Sequence, residues 1–163
     1  DLHSFPTRRS SDLEPGYLYF YPDSNVLDFK SNVGLRAGSE KYEPKTFWVK
    51  LPKRLKWYGI VPPTDFGFYY DKKQVIYIYI DLFSSKPKHD TIYSPSKNEL
   101  SEFIPRNLMV GHEKYNIGNI EFDDNRKQAL LRKGAATIIL YNILEKNYDR
   151  FLNDVRSFEF TNQ

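Results

Sequence analysis

Residues 66–82, FGFYYDKKQVIYIYIDL, decide the fold of this chain. From residue 74 to residue 82, aliphatic side chains alternate with mostly aromatic or polar ones. This pattern is typical of a β-strand, because successive strand side chains point to opposite faces. The charged segment Asp71-Lys72-Lys73 favours a tight turn before this strand. The same alternation precedes the turn, in Phe66, Phe68 and Tyr70. The stretch therefore predicts a β-hairpin whose aliphatic face lies in the core.

The other face of the second strand carries Tyr77 and Tyr79. Tyrosine rings favour burial, whereas their hydroxyl groups need water or a hydrogen-bond partner. This face therefore has two interpretations, a surface covered by a helix or strand, and a surface that binds a partner. The first is the more common outcome, and the two tyrosines remain candidate contact residues.

Residues 1–13, DLHSFPTRRSSDL, are the translation of a widely used short-read sequencing adapter. We interpret them as an artefact and exclude them from the analysis of the fold, as for a tag or fusion scar. The gene then derives from an assembled read set such as a metagenome, and we expect the natural N-terminus to be missing. Without it, a missing signal peptide does not assign a compartment, and we keep export or envelope association as a hypothesis.

The remaining residues, 14–163, are enough for one domain with a sizeable core. The net charge of +3 is too small to indicate a dedicated nucleic-acid binder. The chain has no cysteine, which excludes disulfides, thiol nucleophiles and thiolate metal sites. Its many Tyr, Phe, Lys, Asn and Ile residues suggest AT-rich coding, which favours a bacterial origin. The longest nearly uninterrupted apolar run, Ala135 to Leu144, is too short to span a bilayer.

Further strands and a capped helix are predicted before residue 105. Strands are expected at Tyr17–Tyr21, Val26–Val33 and Lys45–Leu51. Residues 34–44 and 83–95 are predicted as loops, and Pro62-Pro63 as part of an extended connection. Ser96 and Glu99 form a capping box, which predicts a short helix ended by Pro105. Its inward side chains are expected to be Leu100, Phe103 and Ile104.

Helices dominate the prediction for the last third of the chain. Short strands are expected at residues 108–110 and 115–122, and the longest helix at residues 125–146. A second, amphipathic helix is expected from Tyr148, Phe151, Leu152 and Val155, which follow helical spacing. Phe158 and Phe160 suggest a last short strand. The predicted fold class is α+β, with an antiparallel sheet built mainly from the first two-thirds and packed against C-terminal helices.

The first candidate site is the basic and aromatic stretch 45–58, KTFWVKLPKRLKWY. Cations interleaved with rings are suited to nucleic acid or to anionic polymers such as glycans. The alternative is a half-buried strand with its lysines in solvent and its rings in the core, which strand alternation alone explains. The binding candidates here are Lys50, Arg54, Trp48, Trp57 and Tyr58, to which we add Tyr77 and Tyr79.

Two further candidates are weaker. The carboxylates Glu121, Asp123 and Asp124 are hard-cation ligands, but their spacing does not match an EF-hand, and capping of the predicted helix explains them better. His89 and His112 each precede an acidic residue, yet no hydrolase, phosphate-loop or dinucleotide motif accompanies them. We therefore predict no catalytic residue, metal or cofactor.

Three functional hypotheses follow. The favoured one is a non-enzymatic binding or interaction module with a protein or glycan partner. The second is a small hydrolase-like enzyme that uses His89 or His112 beside a carboxylate. The third is a binder of nucleic acid or an anionic polymer through residues 45–58.

Overall fold

The computed structural model describes residues 17–21, 26–30, 35–37, 40–42, 45–61, 64–83, 89–104 and 117–161. Its strands are β1 (Tyr17–Tyr21), β2 (Val26–Lys30), β3 (Leu35–Ala37), β4 (Glu40–Tyr42), β5 (Phe47–Lys50), β6 (Trp57–Val61), β7 (Asp65–Tyr70), β8 (Gln74–Ile80), β9 (Thr91–Tyr93), β10 (Arg126–Lys133), β11 (Ala136–Leu144) and β12 (Glu159–Phe160). Its helices are α1 (Lys97–Phe103) and α2 (Glu145–Val155). The predicted artefact, residues 1–13, lies outside the described residues.

The strands form antiparallel sheets. The larger sheet has six strands in the order β6-β7-β8-β11-β10-β9, and a second has four in the order β1-β2-β5-β12. Strands β3 and β4 form a separate two-stranded ribbon. Among the described residues, many more lie in strands than in the two helices. The predicted α+β class with antiparallel sheet is therefore confirmed, with a larger share of strand than the sequence suggested.

The predicted central hairpin is strands β7 and β8. Phe66 lies opposite Ile78 and Phe68 opposite Ile76, so this face of the hairpin is apolar up to the pair Tyr70–Gln74 beside the turn. The turn Asp71–Lys73 has the hydrogen-bond pattern of a 3₁₀ turn, but its backbone angles at Lys72 are not those of a right-handed helix. Lys72 and Lys73 adopt positive φ angles of 59° and 57° within it. The charged turn and both alternating strands are thus confirmed.

The first core lies between the two sheets and helix α2. The rings of Phe29 and Phe47, from the smaller sheet, meet that of Phe66 from the larger one, with centroids 4.8 and 5.1 Å from it. Helix α2 contributes Phe151, whose ring lies 4.8 Å from that of Tyr70. The amphipathic helix that the sequence predicts is therefore confirmed as the cover of this core.

The second core lies on the opposite face of the six-stranded sheet. Here Tyr77 packs with Leu100 of helix α1, with Ile104 at the C-terminal end of that helix, and with Ile120. Half of the predicted capping box is present: the Ser96 hydroxyl accepts a 3.2 Å hydrogen bond from the Glu99 amide, whereas the Glu99 carboxylate accepts one from the Tyr93 hydroxyl group. The tyrosine face is therefore covered by a helix, the first of its two interpretations.

The predicted helix at residues 125–146 is wrong. Strands β10 and β11 occupy this region as a hairpin, joined at Gly134, which has a φ of 55°. Strand β11 lies between β8 and β10 and is covered on both faces, by the first core at Ile138 and by the second at Ile139. Such a strand is apolar almost throughout, and periodicity cannot distinguish it from a buried helix.

Smaller corrections concern loops that contain strands. The predicted loop at residues 34–44 contains β3 and β4, and the predicted loop at 83–95 contains β9. The sequence analysis predicts no strand at β6, and Pro62-Pro63 lies outside the described residues. The described part of the predicted strand at 115–122, residues 117–122, is not a strand. Strands β1, β2, β5 and β12 are confirmed, although β2 ends at Lys30. Pro105 and residues 108–110 lie outside the described residues.

Candidate functional site

Three chain segments meet at the turn of the central hairpin. The first is the segment after β5, held by the Tyr70 hydroxyl group, which donates a 3.0 Å hydrogen bond to the Pro52 carbonyl. The second is the turn Asp71–Lys73 itself. The third is the start of helix α2. Because these contacts link positions far apart in sequence, the place where they meet is defined by the tertiary fold.

Gln74 joins two of these segments. Its side chain is buried, and its amide nitrogen donates a 2.9 Å hydrogen bond to the Asp71 carbonyl. Its amide oxygen accepts two hydrogen bonds, from the Leu144 backbone amide at 3.1 Å and from the Asn147 side chain at 2.9 Å. A single buried amide thus fixes the turn against the first residues of helix α2.

Asn142 supports the turn from strand β11. Its side-chain amide donates a 2.9 Å hydrogen bond to the Lys73 carbonyl. Its own carbonyl accepts a 3.1 Å hydrogen bond from the Arg126 guanidinium group. The residue has a φ of 57°, which asparagine tolerates better than most residues. The left-handed turn is therefore held from two sides, by Gln74 and by Asn142.

These segments enclose a cleft of about 230 Å³, which we call the basic cleft. Among the described residues that line it, Asp71 is the single acidic one. The floor is formed in part by Tyr70 and Phe151, whose rings are almost completely buried. The cationic residues that line the basic cleft are Lys53, Arg54, Lys72, Lys146 and Arg150. Like charges gathered in a concave site raise the local concentration of counter-ions, so this geometry favours an anionic ligand.

Most of these cations have no acidic neighbour to neutralise them. Arg150 contacts the Asn147 side-chain oxygen at 3.4 Å and lies 5.7 Å from the Phe151 ring centre. Asp71 pairs at 3.4 Å with Lys56, which lies outside the basic cleft. The other four cations of the basic cleft form no ion pair within the described residues; they are Lys53, Arg54, Lys72 and Lys146. Their charge is therefore available to a ligand.

The backbone near the cleft is unusual at three basic residues. Arg54 has a φ of 70°, and Lys72 and Lys73 have φ angles of 59° and 57°. Left-handed conformation costs a residue with a side chain roughly 1–2 kcal/mol, a cost that glycine avoids. Long cationic side chains at strained positions are the kind of feature that accumulates at functional sites.

The tyrosines beneath the turn are neutral at physiological pH. The pKa of Tyr70 is raised well above its ordinary value, first by burial and then by the charge of Asp154, while Arg150 lowers it. The pKa of Tyr77 is raised by burial and by its hydrogen bond to Asp65. Burial also raises the pKa of Tyr69. Each phenol therefore keeps its proton, and the hydroxyl groups of Tyr70 and Tyr77 donate hydrogen bonds to the Pro52 carbonyl and to Asp65.

The predicted contact residues are dispersed in the structure. Arg54 lines the basic cleft, whereas Lys50 pairs with Asp154 at 3.3 Å on a different surface. Trp48 lies on the outward face of β5, between buried neighbours. The structure thus brings one predicted residue, Arg54, into the cleft. Lys53 comes from the same predicted stretch, whereas Lys72, Lys146 and Arg150 come from segments that the sequence analysis did not connect with it.

The remaining aromatic candidates belong to the two cores. Trp57 is half-buried against Tyr69, with ring centres 5.5 Å apart, and half-buried Tyr58 packs on the first core. Half-buried Tyr79 lies 6.4 Å from the Phe103 ring. Tyr77 is 1% exposed, so a partner cannot reach its ring in this structure.

The carboxylate candidates shape a turn. The predicted helix cap at Asp123 is wrong, because the residues that follow form β10. The Asp123 side chain instead accepts a 2.9 Å hydrogen bond from the Asn125 amide, and its carbonyl accepts one from the Arg126 amide. Across the described ranges, no group of three acidic or histidine side chains is placed to hold a metal ion.

The histidine candidates contribute no pair to a site within the described residues. His89 is exposed, and it forms no ion pair with an acidic side chain that the structure describes. His112 lies outside the described residues. Neither helix that the structure describes is long and apolar enough to cross a membrane.

Comparison with known proteins gives no match of any kind. No family model matches this chain, and no curated protein or solved structure does so. The functional argument therefore rests on the geometry and charge of the basic cleft.

Proposed function

We propose that this chain is a non-enzymatic binding module that holds an anionic group of an acidic glycan in the basic cleft. One observation supports the proposal above all: five cationic side chains and one carboxylate line a cleft of about 230 Å³ assembled from three distant segments. Sulfate, phosphate and carboxylate groups share the charge and the hydrogen-bond acceptors that lysine and arginine recognise.

A glycan fits the cleft better than a nucleic acid does. Single-stranded nucleic acids are bound by combining cations with exposed aromatic faces on which bases stack. The two rings that line the basic cleft, Tyr70 and Phe151, are only 4% and 1% exposed. The half-buried Trp57 and Tyr58 do not line it. An anionic polymer without bases needs no stacking surface, so charge alone is sufficient.

The hydrogen-bond network under the cleft supports a binding role. Gln74 and Asn142 fix the turn before any ligand arrives, so little conformational entropy is lost when the cationic groups engage an anion. The start of helix α2 adds positive partial charge on the same side, since Leu144 provides no side-chain cap, and Glu145 in the first turn offsets part of it. Both effects strengthen attraction for an anion without requiring a catalytic group.

The proposal is tested with a heparin-derived octasaccharide as the sulfated probe. We expect calorimetric binding that weakens as sodium chloride is raised, because the contacts are ionic. The double substitution Lys53→Ala and Arg150→Ala removes two cleft charges and should weaken binding by about tenfold, or about 1.4 kcal/mol. Thermal unfolding should stay unchanged, because both side chains are exposed.

Two cations outside the cleft provide matched controls. Lys97 begins helix α1, and Arg156 follows the far end of helix α2 from the cleft. The pair Lys97→Ala and Arg156→Ala changes the net charge equally and should leave binding intact. Absence of octasaccharide binding, or an equal loss in the control pair, would contradict the proposal. Tighter binding of an oligothymidylate of equal charge would instead assign the cleft to nucleic acid.

A further inference from the structure

A second cleft adjoins the first at the same turn. It also has a volume of about 230 Å³, and its cationic residues are Lys56, Lys72 and Lys73. Asp71 and Lys72 line both clefts, so the turn is the ridge between them. We call this site the second cleft. It adds two cations, Lys56 and Lys73, that do not line the basic cleft.

The two clefts open on opposite faces of the central hairpin. Tyr69 and Val75 line the second cleft, and both belong to the core under helix α1. Gln74 lines the basic cleft, beside helix α2. The side chains of adjacent strand residues point to opposite faces. Residues 74 and 75 therefore line clefts that lie on opposite sides of the sheet. A ligand in both clefts must therefore cross over the turn.

The charge at the ridge is arranged for such a crossing. Lys72 lies at the top of the turn in a left-handed conformation and contributes to both clefts. The Lys73 side chain forms no ion pair with any described residue, whereas Lys56 pairs with Asp71 at 3.4 Å. Cationic side chains thus continue from Arg150 on one side, over Lys72, to Lys73 on the other.

We propose that the second cleft is a second anionic subsite, and that a chain with several anionic groups binds across the turn with groups in both clefts. This inference rests on the proposed function of the basic cleft. It adds that the ligand is a polyanion of several units, because a single anionic group occupies only one cleft. Once one end is bound, the other binds at a high effective concentration, so affinity rises with chain length.

The test compares a heparin-derived disaccharide with the octasaccharide by calorimetry. The longer probe offers more binding registers, which alone accounts for about a fourfold advantage. We expect the octasaccharide to bind at least about twentyfold more tightly than the disaccharide. Lys73→Ala should reduce that ratio to about fourfold by weakening the octasaccharide alone, since Lys73 lines only the second cleft. Lys73→Arg keeps the charge and should retain the ratio.

The outcomes separate the two proposals. If the disaccharide binds and is weakened by Lys53→Ala with Arg150→Ala, while Lys73→Ala leaves the length ratio unchanged, the second subsite is wrong and the basic cleft stands. If neither probe binds, or if the basic-cleft variants have no effect on either, the proposed function itself fails. If Lys73→Ala weakens both probes equally, the two clefts act as one site, and binding across the turn is also wrong.

Discussion

The side-chain amide of Asn147 donates a 2.9 Å hydrogen bond to the amide oxygen of Gln74, which joins helix α2 to the start of strand β8. The same oxygen accepts the Leu144 amide, and the Gln74 nitrogen reaches back to the turn at Asp71. Every hydrogen-bonding group of one buried side chain is thereby used at the boundary between turn and helix. The position of the basic cleft depends on this residue more than on any of the cations that line it.

Replacing Gln74 with leucine should destabilise the fold. The substitution leaves the Leu144 amide and the Asp71 carbonyl, whose hydrogen bonds are part-buried, without their partner, which costs up to roughly 1–3 kcal/mol for each unsatisfied group. We expect the free energy of unfolding in urea to fall by about 2–4 kcal/mol. Asn147→Ala, which removes one of the hydrogen bonds, should cost about 1 kcal/mol.

A double-mutant cycle between these positions checks the physical cause. The effects of Gln74→Leu and Asn147→Ala should be less than additive, because both remove the same hydrogen bond. Strict additivity would show that the hydrogen bond between Gln74 and Asn147 contributes nothing to stability.

Lys72 should be replaceable by glycine without loss of stability. Its φ of 59° is strained for lysine and relaxed for glycine. Glycine also raises the conformational entropy of the unfolded chain. This destabilises the folded state by about 0.4–1 kcal/mol and so offsets part of the gain from the relieved strain. We expect the free energy of unfolding to stay equal or rise by up to about 1 kcal/mol, while octasaccharide binding weakens.

Lys72→Ala is the matched variant, since it removes the same charge and keeps the strained backbone. It should bind the octasaccharide as weakly as Lys72→Gly does and be no more stable than the wild type. A Lys72→Gly protein that binds normally would show that the lysine is incidental to the cleft.

Alternation explains which strands the sequence reveals. Strand β8 has one aliphatic and one tyrosine face, and the two faces meet different covers, so its pattern survives in the sequence. Strand β11 meets apolar partners on both faces, so Thr137–Leu140 is continuous and indistinguishable from a buried helix. The clue to its start is Gly134, which follows a pair of basic residues and permits a tight turn.

The basic cleft is harder to predict because its cations are not neighbours in sequence. Arg54 lies in the basic and aromatic stretch, but Lys72 and Arg150 join it only through the contacts of Tyr70 and Gln74. Two local clues exist: the charged turn at Lys72, and the spacing of Lys146 and Arg150, four residues apart on one face of a helix. Neither clue identifies its partner without the three-dimensional structure.

Substitution of Gly134 by alanine should destabilise the β10–β11 hairpin. With φ at 55°, alanine would be forced into the left-handed region, at a cost of about 1–2 kcal/mol. Urea unfolding measures the loss. Ala135→Gly, at the next position of the turn, changes flexibility without relieving strain and should cost less. An equal effect of both substitutions would contradict the role of the Gly134 conformation.

Stability should fall in alkaline solution. Burial raises the pKa of Tyr69, Tyr70 and Tyr77 in the folded protein above the ordinary value near 10. Above about pH 10 the unfolded chain releases these protons while the folded chain retains them, so rising pH favours unfolding. Below about pH 9 the tyrosine contribution is constant. Each tyrosine adds up to about 1.4 kcal/mol per pH unit to the decrease in the free energy of unfolding.

Urea unfolding from about pH 8 to pH 11, together with ultraviolet titration of the phenols, checks the alkaline prediction. Tyr77→Phe removes one titrating group and its hydrogen bond to Asp65. The variant should be less stable at neutral pH and show a shallower alkaline slope. Ionisation of all tyrosines near pH 10 in the folded protein would contradict the burial argument.

Asp71 should oppose the binding that its neighbours promote. It is the only carboxylate among the residues that line the two described clefts, and it lines both. Asp71→Asn removes that charge and releases Lys56 from its 3.4 Å ion pair, while the backbone carbonyl bonded to Gln74 remains. We expect octasaccharide affinity to rise by about three- to fivefold, the effect of an exposed charge worth up to about 1 kcal/mol.

Glu145→Gln makes the same change of net charge at a residue that lines neither cleft and should leave affinity nearly unchanged. Equal gains in both variants would trace the attraction to the net charge of the whole protein, and a weaker Asp71→Asn protein would show that Asp71 itself orders the site.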